Sequence, residues 1–142
     1  MAQGIARLQR DKLISWFGNI SVPAQPTNDY WIQWHTGDPG ANGDTNISTS
    51  LPARTQAGDN AGVRWQLRTG STDGIMENTV AGETEVVGAG LGGDQISWFS
   101  CWEASSGGVH LFNGQVTTPQ TVQDDGKLTW QVGDLYCEIT GT

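Results

Sequence analysis

Few residues of this chain have a type and spacing that could do chemistry. His35 and His110 are its two histidines. An imidazole can move protons near neutral pH or ligate a metal, but each stands alone, far in sequence from a nucleophile or second ligand. A lone histidine beside a strand reads as a satisfied structural residue. Neither a Gly-x-Ser-x-Gly elbow nor a His-Glu-x-x-His pair occurs. The glycine-rich run 88–93 does not open a helix in a strand-helix-strand unit, so it reads as a loop and not as a phosphate cradle. Cys101 and Cys137 lie in apolar, strand-like runs; two cysteines are too few for a zinc site, and they read as buried thiols. No catalytic residue, metal or cofactor is expected.

Two sets of residues suggest binding. Asp38, Asn42 and Asp44 are oxygen donors in one short stretch, of the kind that can hold Ca²⁺. Their spacing is not that of an EF-hand loop, and turns use the same residues. The seven tryptophans offer flat apolar faces on which a sugar ring can stack. Trp65, Trp98, Trp102 and Trp130 fall at core-like strand positions, and Trp16 on a helix stripe. Trp31 is the indole expected to be exposed.

The elements that must position these residues are mostly strands. Tyr30, Ile32 and Trp34 alternate with Trp31, Gln33 and His35, the period of a strand. His35, Thr36, Gly37, Asp38, Pro39 and Gly40 then form a structural turn, because Asp-Pro and glycine end a strand. The polar stretch 37–61 has no apolar period and is long for a compact domain; it is expected to be ordered by a neighbouring subunit. Val63, Trp65 and Leu67 alternate with Arg64, Gln66 and Arg68. Weaker strands follow at 75–80 and 83–87. Residues 95–102 read as a central strand buried on both faces. Val109 to Thr117 makes another, which Asn113-Gly114 bulges or turns. Strands at 128–132 and 135–140 follow tight turns. Ahead of them all, residues 3–18 place Ile5, Leu8, Leu13, Trp16 and Phe17 on one stripe, the pattern of an amphipathic helix. The fold class expected is mainly β, a β-sandwich or jelly-roll-like domain with one N-terminal α-helix. Residues 1–20 form a helix or arm and 21–142 a single domain.

Composition bounds the partners. The chain has 142 residues, 20 glycines and a net charge of −8. An acidic surface disfavours nucleic acid and anionic membranes alike. Arg7, Arg10 and Lys12 are three of the seven basic residues. A basic arm on an acidic body is suited to meet the acidic body of a neighbouring copy. No apolar run has signal-peptide or membrane-span length, so folding in a cytoplasm is expected.

The order of motifs resembles that of small virion proteins of tailed bacteriophages. An N-terminal leucine-bearing helix leads to an aromatic strand that ends in Thr36 to Gly40. Ala53-Arg54 follows. The second half carries Trp102 to Gly108, Val109 to Gln115, Thr117-Thr118-Pro119 and the closing Gly133-Asp134-Leu135. The resemblance spans nearly the whole chain and implies a structural protein of the particle, of head-decoration, minor-tail or fibre type, without catalysis. The leading expectation is a capsid decoration or accessory protein that sits on the shell and reinforces it as a homo-oligomer, with a trimer favoured. The alternative is a tail or fibre component that contacts glycan through exposed tryptophan. Partners are the major capsid protein or tail proteins of a virion assembled in the host cytoplasm. Candidate interface residues are Arg7, Arg10, Lys12, Trp31, Asp38, Pro39, Asn42 and Asp44.

Overall fold

The computed structural model describes residues 4–5, 30–56, 65–68, 70, 74–85, 92–124 and 126–138. Ten strands occur among them: β1 Gly4–Ile5, β2 Trp31–His35, β3 Thr55–Gln56, β4 Trp65–Leu67, β5 Ile75–Asn78, β6 Gly82–Glu85, β7 Gln95–Trp102, β8 His110–Thr121, β9 Lys127–Trp130 and β10 Leu135–Glu138. The main sheet is antiparallel and curled, in the order β3-β2-β7-β8-β10-β5-β4, with β1 on β8. β8 is the spine. One side pairs with β7 along its length; the other is shared by β1 at Phe112 and Asn113 and by β10 at Gln115 and Val116. A separate ribbon joins β6 to β9. The mainly β class is as the sequence predicts, although these strands form one large sheet with a small ribbon and not two comparable sheets.

Cross-strand partners share a face, so the register divides the sheet. Ile32 and Cys101, Trp34 and Phe99, Cys101 and Phe112, Val116 and Leu135, and Cys137 and Met76 are opposed on one face. Gln33 and Ser100, Ser100 and Asn113, Gln115 and Tyr136, and Glu77 and Gln66 are opposed on the other. The apolar face is the core. Trp65 stacks on Phe99 at 5.6 Å and meets Phe112 edge-on at 5.0 Å. The ribbon covers this face because β9 alternates cleanly: Leu128 and Trp130 are buried, Lys127 and Thr129 exposed. Trp130 packs on Trp34 at 5.2 Å. Each such burial contributes about 1.5–3 kcal/mol, whereas the exposed Lys127–Glu83 pair contributes at most about 1 kcal/mol. Apolar packing therefore holds the ribbon down.

Several expectations change. Gly4–Ile5 is a strand where the sequence predicts the start of a helix; the rest of the predicted helix, with Arg7, Arg10 and Lys12, lies outside the described residues, as does 57–61 of the long loop. β8 runs straight through Asn113-Gly114 to Thr121 without turning. Gly114 is required there because a Cβ would collide with the Tyr136 carbonyl and the Phe99 ring. The register shifts with β7 fall instead between Ile96 and Trp98 and between Cys101 and Trp102. Cys101 and Cys137 are buried thiols, and burial pushes the Cys101 thiol pKa up.

Candidate functional site

The polar face of the sheet is as closed as the apolar one at its centre, because residues 36–51 fold back over it. Gln33, His35, Ser100 and Asn113 are buried there, and each has hydrogen-bond partners, as a buried polar group requires. His35 Nδ1 donates to the Thr45 carbonyl at 2.7 Å, and its Nε2 lies 2.8 Å from Ser100 Oγ. Asn113 Nδ2 donates to the Gly40 carbonyl at 2.6 Å. Since that bond fixes the amide orientation, Asn113 Oδ1 accepts from His110 Nε2 at 2.7 Å. Gln33 Nε2 donates to the Pro52 carbonyl at 3.2 Å. Burial pushes the His35 pKa down to about 4 against the pull of the Thr45 carbonyl; burial lowers His110 as well. Both imidazoles are neutral at pH 7.

The loop also closes on itself. Gly40 N donates to Asp38 Oδ1 at 2.8 Å, a side-chain turn that lets Gly40 take a φ of 73°. Asn46, with a φ of 54°, donates from Nδ2 to the Asp38 carbonyl. Its own carbonyl accepts from Thr36 N at 3.0 Å. Gly43 lies so close to His110 that a Cβ would sit 2.7 Å from Nε2. The far end is pinned by Asp94. Its Oδ2 accepts from Ser48 Oγ, Thr49 N and Ser50 N at 2.8, 2.7 and 3.0 Å. The Ser50 N–H leads these donors in holding the Asp94 carboxyl below the usual carboxylate range. The chain's own sheet thus holds 36–51 from beneath.

At one edge of the loop, Arg54 lies over the Trp102 ring at 3.7 Å and donates to the Ala104 and Gly107 carbonyls. The ring of His110 lies 4.9 Å from that of Trp102. This stack ties the strand entering β3 to the β7–β8 hairpin. Trp98 and Trp102, predicted to be core, are half-buried on the polar face. The reason is parity: Trp98 and Trp102 are in register with His35 and Trp31, whereas after the register shift between Ile96 and Trp98 the core positions of β7 are Phe99 and Cys101.

Of the predicted interface residues, Asp38, Asn42 and Asp44 are exposed on the loop. Pro39 does not join them: it is fully buried, because the turn folds its ring inward. Trp31 is half-buried on β2. Among the described residues no group of three or more His, Cys, Asp or Glu is placed to hold a metal. The residues that sequence reasoning missed are Ser100, Asn113 and Asp94, which hold the loop from across the sheet. A single Ser, Asn or Asp in a strand or turn carries no local signal of that role.

A family model described as podophage GP4 fiber I protein gp80 matches residues 4–138. The chain belongs to that fibre family. No curated protein matches it. Membership makes it a structural component of a phage virion, and favours the fibre alternative over capsid decoration. The matched span takes in the loop, the polar layer beneath it and the core described above.

Proposed function

We propose that this chain is a component of the phage tail fibre apparatus that works by binding and has no catalytic step. The match to a fibre family over residues 4–138 carries the reading. The loop supports the choice of surface. Asp38, Asn42 and Asp44 stand outward on a segment that is locked from beneath, so a partner meets a preformed surface and loses little ordering entropy on binding. The partners are other tail proteins of the virion and further copies of the chain, with a trimer favoured. A net charge of −8 suits basic protein surfaces and not nucleic acid or anionic lipid. Sugar stacking is a minor part of the reading, since Trp102 already carries Arg54 and His110, leaving Trp31 as its candidate.

The test is particle incorporation of an Asn42→Lys, Asp44→Lys double variant. Both side chains are on the exposed outer side of the loop, so the melting temperature should hold within a few degrees while occupancy on purified particles drops. Unchanged occupancy with an unchanged fold would show that the loop is not the contact surface.

A further inference from the structure

The part of the loop nearest His35 and the part nearest Asp94 are held by groups that respond to acid in different pH ranges. A carbonyl oxygen only accepts, so His35 Nδ1 carries the proton that goes to Thr45. The neutral ring then accepts at Nε2, and the Ser100 hydroxyl donates to it. Ser100 Oγ in turn accepts from Trp102 Nε1 at 2.8 Å. If His35 gains a proton, Nε2 becomes a donor and the Ser100 hydroxyl turns to the Gly43 carbonyl, 3.2 Å away. The hydrogen-bond set is complete in either state. What changes is that a full charge sits at a side chain with 0% exposure, which is costly in a dry site.

The neighbouring charges do not relieve it. His110 on β8 opposes a charge on His35, and Arg54, reaching in from before β3, opposes one on His110. The Thr45 and Asn46 backbones favour the charged ring without outweighing burial, and among charged groups Asp44 on the loop favours it; Asp44 is exposed, and water and salt screen it. β7 contributes Ser100 and Trp98, which are uncharged. At the other end, the Asp94 carboxylate keeps its charge to lower pH than an ordinary aspartate, so its bonds to Ser48, Thr49 and Ser50 persist through the range in which an exposed histidine titrates.

We propose that residues 36–46 are an acid-released flap, hinged at 47–51: charging His35 lifts the flap from the polar face, while Asp94 keeps the hinge in place and the apolar core stays folded. Opening would let His35 titrate as an exposed imidazole and would undo the turns that hold Asp38, Asn42 and Asp44 outward, releasing the Thr36 and Thr45 amides from the Asn46 and Pro39 carbonyls. This inference stands on the sheet and loop alone and does not depend on where in the particle the chain sits.

Amide exchange followed by NMR on the full chain tests it. After correction for intrinsic rates, the Thr36 and Thr45 amides should be about thirtyfold less protected at pH 5 than at pH 8, from linkage between an exposed value of 6.5 and a closed value of about 4. The Thr49 and Ser50 amides and those of β7 should keep their protection. Equal protection of Thr36 and Thr45 at both pH values would overturn the flap, and so would a parallel loss in β7. In His35→Gln the pH dependence should shrink to the part that His110, under the same loop, carries. Should that variant fail to fold, the ring signals of His35 in the natural sequence decide: titration near 6.5 with the loop still protected overturns the proposal.

Discussion

Ser100 holds more than its size suggests. Its hydroxyl serves His35, Trp102 and the Gly43 carbonyl at one fully buried point. Ser100→Ala removes one oxygen and leaves the His35 Nε2 and the Trp102 Nε1 without that partner. An unsatisfied buried polar group costs about 1–3 kcal/mol, so urea unfolding should show a loss in that range, whereas Ser97→Ala, at a half-buried position that donates to the Thr36 carbonyl, should cost less. The same residues show where reading the sequence stops. Alternation in β2 correctly puts Ile32 and Trp34 in one row and Gln33 and His35 in the other, but the usual inference, that the polar row faces water, fails. Gln33 and His35 are buried because a segment beginning one residue later returns over them, and its anchors Ser100, Asn113 and Asp94 lie far along the chain. His35 as a satisfied structural residue was legible; the identity of its partners was not.

At the scale of elements, local pattern worked where one face is apolar and one is wet. β9 is the plainest case, with Leu128 and Trp130 in and Lys127 and Thr129 out. Trp130→Ala removes the indole that meets Trp34. A large-to-small core change of this kind costs about 3–5 kcal/mol. The expected outcome is destabilisation of that size, with emission from the remaining buried indoles shifted to the red; a loss under about 1 kcal/mol would show that the ribbon is held by its strand pairing alone. Pattern worked less well for β1. Gly4–Ile5 falls at the start of a 3.6-residue stripe, yet it pairs with β8, in the stretch of that strand's edge that β10 leaves unfilled. Which edge is unfilled is a property of the assembled sheet, and no short window of sequence holds it. The same holds for the turn at Asn113-Gly114: the dipeptide favours a hairpin, but ladders on both sides of β8 keep it extended.

At the scale of the molecule, charge is unevenly placed along the chain. The three cations described are already engaged: Arg54 with the hairpin carbonyls, Arg68 with Glu77, and Lys127 with Glu83. Among the described residues the exterior is therefore acidic, while Arg7, Arg10 and Lys12 concentrate positive charge in the first twelve positions of the sequence. That division suits a module that joins others in an assembly, in keeping with a fibre family. The measurement that tests the central claim most directly is electron microscopy of the intact virion, with the chain fitted into the map. Density for the β-sheet domain at the tail fibres, with loop 36–50 against a neighbouring subunit, is the predicted result; density on the capsid shell and none at the tail would contradict it.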